Sequence, residues 1–198
     1  MYRNLLIPGI LLCLSFHLSA QAGKGFFAGG AILAGYTSTF VPGFTQKVLD
    51  LGISPKVGYF FNNLLALGIE SKISFSGRAN SYRHSSEQIN VFCRLALPIG
   101  MEGKLLIWSD ISSGISFWKS WDPLQFDTKG LNFHGALSAG FLLFPRPKIG
   151  LEFGLSNIFS YMKILKIDNI PYDLQYIGIL NSGALTPQLG VHYYFNRK

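Results

Sequence analysis

The sequence predicts an all-β fold: an eight-stranded antiparallel up-and-down barrel that crosses a membrane with its strands, after a cleaved signal peptide. Three observations predict it. Apolar and polar residues alternate with a period of two over segments of ten or more residues. The connections between these segments are by turns short and long. Hydrophobic residues make up 48% of the chain and charged residues only 14%, against about 25% charged in an average soluble domain. Yet no apolar run after residue 22 is long enough for a spanning helix.

The amino terminus sets the compartment. Arg3 supplies a positive start, Leu5 to Leu18 is apolar apart from Pro8, Gly9, Ser15 and His17, and Ala20-Gln21-Ala22 offers a small-x-small cleavage site. That order is a secretory signal peptide, and the apolar run is shorter than the ~20 residues of a membrane anchor. Cys13 sits inside the run after Leu12, where a lipoprotein signal would carry a small residue. Cleavage after Ala22 leaves one domain, 23–198. Cys93 is then the single cysteine, so no intrachain disulfide framework can form. The formal net charge of +7 falls to +6 as Arg3 leaves. The basic residues are scattered, which with export speaks against nucleic acid and suits anionic lipid head groups.

The first strand, about Gly25 to Tyr36, is rich in Gly and Ala, and its parity is ambiguous. The second runs from Leu49 to Phe61, with Leu51, Ile53, Val57 and Tyr59 opposing Asp50, Ser54, Lys56 and Gly58. The third sets Leu65, Leu67, Ile69, Ile73 and Phe75 against Ala66, Gly68, Glu70, Lys72 and Ser74. In the fourth, Ile89, Val91, Cys93, Leu95 and Leu97 oppose Asn90, Phe92, Arg94 and Ala96. The fifth sets Leu105, Ile107, Ile111, Ile115 and Phe117 against Trp108, Asp110, Ser112, Gly114 and Ser116. The sixth sets Leu131, Phe133, Leu137 and Phe141 against Asn132, His134, Ala136 and Ser138. The seventh sets Ile149, Leu151, Phe153 and Leu155 against Gly150, Glu152, Gly154 and Ser156, and the eighth sets Leu185, Leu189, Val191, Tyr193 and Phe195 against Gln188, Gly190, His192 and Tyr194. Such lengths exceed the ~5–6 residues usual in soluble sheets and match the ~9–11 of a tilted transmembrane strand.

Short turns are expected at Asn62-Asn63, around Pro98 to Gly103, and at Pro145 to Lys148. Long loops are expected at about 37–47, 77–87, 119–130 and 160–184. This asymmetry is that of outer-membrane barrels, and an even strand count puts both termini on the short-turn, periplasmic side. Tyr59, Phe61, Phe141, Phe144, Tyr193 and Phe195 at one end, and Tyr36, Phe75, Phe117 and Trp118 at the other, are read as two aromatic girdles.

An eight-stranded barrel has an interior just wide enough to fill with side chains. Lys56, Glu70, Arg94 and Asp110 share the inward parity on four adjacent strands and lie at similar heights counted from the periplasmic turns. They are expected to form an ionic cluster that plugs the lumen, since buried charges persist when paired.

Ile53-Ser54-Pro55-Lys56-Val57-Gly58-Tyr59-Phe60, Asn62-Asn63 and Leu65-Ala66-Leu67-Gly68 resemble the small outer-membrane β-barrel domain (porin family, OmpA/OmpX-like). Lys148-Ile149-Gly150-Leu151-Glu152-Phe153-Gly154 resembles its later hairpin, and Gly190, Tyr193 and Phe195 resemble the carboxy-terminal signal read by the barrel-assembly machinery. Asn196-Arg197-Lys198 follow that aromatic, where many relatives end on it. The resemblance implies residence in a Gram-negative outer membrane, with its lipid and lipopolysaccharide as surroundings. It implies a structural, adhesive or unassigned role, because fold does not dictate function.

Chemistry is sparse. His134 and Ser138 share a face but stand about 13 Å apart along a strand, too far for a nucleophile and its base. His192 belongs near the periplasmic end, His134 near the loop end, and His84 in a loop. Asp122 with Asp127, and Asp168 with Asp173, lack metal-ligand spacing. No catalytic, cofactor or metal site is therefore expected, and Cys93 is read as a small lipid-facing hydrophobe. The fourth loop is apolar for an exposed segment, at Tyr161 to Ile167 and Tyr172 to Leu180. It reads either as a hairpin that recruits partners by strand addition or as a cover folded over the mouth. Three roles follow: a structural or surface-interaction barrel, a narrow channel for small solutes, or a lipid-active enzyme.

Overall fold

The computed structural model describes residues 24–41, 44–78, 82–99, 104–122, 125–179 and 186–197. The expected signal peptide, 1–22, lies outside these residues. Among the described residues nine strands form one sheet: β1 (Gly25–Val41), β2 (Phe44–Phe60), β3 (Leu65–Arg78), β4 (Tyr82–Ile99), β5 (Leu105–Asp122), β6 (Gln125–Arg146), β7 (Ile149–Ile167), β8 (Ile170–Ile179) and β9 (Thr186–Tyr194). Each strand from β1 to β7 pairs antiparallel with the next, β7 pairs with β9, and β9 with β1. The ring therefore closes on eight positions. The eighth is shared end to end: Ile149–Ser156 of β7 bind β9, and Phe159–Ile167 bind β8. Closure gives every spanning strand a partner on both sides, as lipid requires, because no water is there to bond the backbone.

The change of partner on β7 coincides with a bulge. Leu155 faces Ala139 and Phe159 faces Leu137, so two extra residues are accommodated, and Asn157 among them has φ 60°. Asparagine tolerates this left-handed conformation better than a branched residue would. At the opposite end, Asn62 Oδ1 accepts hydrogen bonds from the amides of Leu64 (2.8 Å) and Leu65 (2.7 Å) and shapes the β2–β3 turn.

The segments expected as long loops are strands instead. β1 and β2 stay in register to Val41 and Phe44, β3 and β4 to Arg78 and Tyr82, and β7 and β8 to Ile167 and Ile170. β5 and β6 continue to Asp122 and Gln125 through one register shift. Above the bilayer both faces meet water, so alternation disappears from the sequence while the backbone groups still need partners.

The wall has two faces of different chemistry. On β5, Ile107, Ile111, Ile115 and Phe117 are exposed outward, and Lys119 follows. Twelve residue steps of about 3.3 Å, from Leu105 to Phe117, tilted by about 40°, give about 30 Å of height, close to a hydrocarbon core. Inside, Phe27, Phe60, Phe92, Leu106, Trp108, Leu142, Phe144 and Tyr194 fill the short-turn end. Phe144 and Trp118, expected in the girdles, point inward: Phe144 is buried against Tyr194 (ring centroids 5.0 Å) and Trp118 bonds to Asn132. Both have the even parity of the lumen face, and parity decides over height along the strand. Of the remaining girdle residues, the Tyr36 side chain lies outside the described residues.

Candidate functional site: an ionic band and a polar mouth inside the barrel

Lys56 on β2, Glu70 on β3, Arg94 on β4 and Asp110 on β5 all point inward and are buried. The register brings them together. Arg94 Nε and Nη2 each donate to one Asp110 oxygen at 2.7 Å, a bidentate fork. Lys56 Nζ lies 3.4 Å from Glu70 and 3.8 Å from Asp110. Arg94 also sits over the Trp108 ring, 4.6 Å from its centroid.

Three further residues join them. Glu152 on β7 is fully buried and lies 2.8 Å from Arg94 Nη2, 3.3 Å from Lys56 Nζ and 3.0 Å from His192 Nε2. Gln188 Nε2 donates at 3.0 Å to Glu152 Oε1, the oxygen that also faces Lys56. Lys72 Nζ stands 3.5 Å from Glu70. Ser54 and Asn90 also donate to Glu70. Three bases, Lys56, Lys72 and Arg94, thus stand among three acids, Glu70, Asp110 and Glu152. Glu152 was legible, being on the inward parity of its strand and close above the Pro147-Lys148 turn. Its contact with Arg94 and Lys56 crosses the lumen, which counting along neighbouring strands does not reach.

Above the band the lumen widens. A cavity of ≈ 530 Å³ opens at the long-hairpin end, lined by Ser86, Gln88, Ser116, Trp118, Asn132, Tyr176 and their neighbours. His84, expected in a loop, is on β4 and stacks beside Trp118 with centroids 5.7 Å apart. The remaining sequence candidates do not converge. Asp127 pairs with Lys119 at 2.9 Å, Asp168 accepts from the Lys129 amide at 2.9 Å, and Asp173 pairs with Lys163 at 3.0 Å. Asp122 ends β5. Cys93 is a half-buried free thiol with outward parity. His134 and Ser138 face different partners, Gly114 and Asp110. Among the described residues no group of histidine, cysteine or acidic side chains could hold a metal ion. Gly190 faces inward beside Glu152, whereas Tyr193 and Phe195 are exposed outward with rings 5.1 Å apart.

A closed antiparallel ring, an exposed apolar belt and a polar interior define a small β-barrel of the transmembrane type. Solved structures share that fold. Neisserial surface protein A is 14% identical with a TM-score of 0.55, over 86% of this chain and 96% of that one. Outer membrane protein H of P. aeruginosa is 14% identical with a TM-score of 0.50, over 86% of this chain and 99% of that one. The likeness is one of fold. No protein-family model matches the sequence, and no curated protein matches it.

Proposed function

We propose that the chain is exported, loses residues 1–22, and serves as a non-enzymatic outer-membrane barrel with a structural or surface-interaction role. The observation that carries this reading is the interior: three acids and three bases, all nearly or fully buried, fill the lumen above an aromatic core. Such a band supports a lumen closed to solutes.

The surface role falls to the β7–β8 hairpin. β8 pairs with β7 alone among the described residues, and Ile170, Tyr172, Leu174, Tyr176, Ile177 and Ile179 are exposed on it. An unpaired apolar edge is a template for strand addition by an extracellular partner. Gly190, Tyr193 and Phe195 would act earlier, as the segment presented to the assembly machinery. Heat modifiability of the protein from isolated outer membranes tests the barrel, and a band that does not shift on boiling overturns it. Planar-bilayer recording tests the plug: discrete conductance steps would favour the narrow channel. Deleting residues 168–175 tests the hairpin, and unchanged binding to every surface ligand tried would remove that role.

A further inference from the structure

We infer that the upper lumen is a binding site for a neutral saccharide unit. The inference rests on the proposed orientation only in placing the mouth outside the cell; the site itself belongs to the barrel. Its walls differ in kind from the ionic band beneath. None of the residues lining it is an acid, a lysine or an arginine. Ser86, Ser116, Ser120 and Thr128 supply hydroxyls from three strands, and Gln88 and Asn132 supply amides. Hydroxyls and amides both donate and accept, which matches the hydroxyls of a sugar and does not match a fixed charge. The ≈ 530 Å³ volume lies within the range of small-molecule sites, about 300–1,000 Å³.

The aromatic wall is built rather than incidental. Trp118 Nε1 donates to Asn132 Oδ1 at 3.1 Å, and Asn132 in turn contacts Met162 Sδ at 3.4 Å. The ring is held against Gly130, where any Cβ would stand 2.3 Å from Cε2. Only glycine there lets the indole take this place. His84 stacks beside it, and Tyr176 on β8 lines the same space. A fixed indole offers an apolar face to the C–H side of a sugar ring while hydroxyls and amides take its edge. One row deeper, the buried Asn90 Oδ1 and His134 Nδ1 have no hydrogen-bond partner.

The test uses the full mature barrel refolded in detergent micelles and followed through the indole N–H resonances of Trp108 and Trp118. The probes are glucose, galactose, N-acetylglucosamine and maltose, with glucuronic acid and glucosamine as charged counterparts. The expected result is a saturable shift of the Trp118 indole with a neutral sugar, a still Trp108 indole, and weaker binding of the charged pair. Trp118→Ala, which lacks the reporter indole and is therefore read by isothermal titration calorimetry alongside the wild type, should weaken binding by about tenfold or more, and Gly130→Val should do the same by displacing the ring. If either variant loses its heat-modifiable band, Ser116→Ala with Gln88→Ala replaces it. A Trp118 indole unmoved by every neutral sugar, or binding unaltered in a folded variant, overturns the proposal. A sugar chain carried on lipopolysaccharide and a free sugar share this chemistry. Tighter binding of the detached oligosaccharide than of maltose assigns the first source, and the reverse assigns the second. A barrel that conducts yet still binds sugar would remove the plug and leave this site standing.

Discussion

The lower and upper halves of the lumen are built on the same inward parity and come out as opposites. Below, large rings and six acidic and basic side chains are buried and meet from across the barrel. Above, the same strands carry Ser74, Ser86, Gln88, Ser116 and Asn132, and the space between them stays open. Backbone register is uniform through both halves of β4 and β5. Side-chain volume and charge, not wall geometry, therefore decide whether a small barrel is solid or hollow at a given height.

The largest effect should come from the solid half. Glu152→Ala leaves Arg94, Lys56 and Gln188 without their shared acceptor and should cost about 3–5 kcal/mol, as for a broken buried ion pair. Urea titration of folding into lipid vesicles would measure it. A loss below ~1 kcal/mol would mean that water reaches the band and that the two halves are alike. Next comes the outer wall at the same height: Ile111→Lys, in the middle of the β5 belt, should cost about 2–4 kcal/mol in the same assay. Ser112→Ala, one residue along and facing inward, should not approach that figure.

In the hollow half, Ser116→Ala should cost about 1 kcal/mol or less, because its buried hydroxyl borders the cavity and carries no ion pair. The smallest effect concerns the hairpin above both. The hydrogen bond and charge of Lys163 lower the Asp173 carboxyl, and those of Asp173 raise the Lys163 ammonium. A lowered carboxyl contributes at pH above its unfolded value and is lost as pH falls through its folded one. A raised ammonium contributes below its unfolded value and is lost as pH rises through its folded one. The tie is therefore whole at neutral pH and released in acid and in strong alkali. Asp173 is exposed and Lys163 partly so, and water screens the pair, so Asp173→Asn should leave the unfolding midpoint unchanged. Faster amide exchange confined to β7–β8 is the readout, and a shift of the midpoint would mean that the hairpin braces the barrel.

Much of this was legible in the chain. The parity of Lys56, Glu70, Arg94 and Asp110, the Asn62 turn and the position of both termini follow from local rules, because strand side chains alternate and turn residues shape their own backbone. The strands above the bilayer were not legible, since Ser-rich stretches wet on both faces carry no period. Trp118 and Phe144 were misplaced because height along the strand was weighed above parity.

The sequence by itself determined which face of every strand but the first meets lipid, since one misplaced parity would bury charge in hydrocarbon; the Gly- and Ala-rich first strand carries no such signal. Only the tertiary structure decided what meets inside. Glu152 and His192 come from the far end of the chain, and their approach to Arg94 and Lys56 depends on ring closure. So does the β7 bulge, where one strand gives up β9 for β8. Those distances depend on the tilt and stagger of the whole ring, which no local segment encodes.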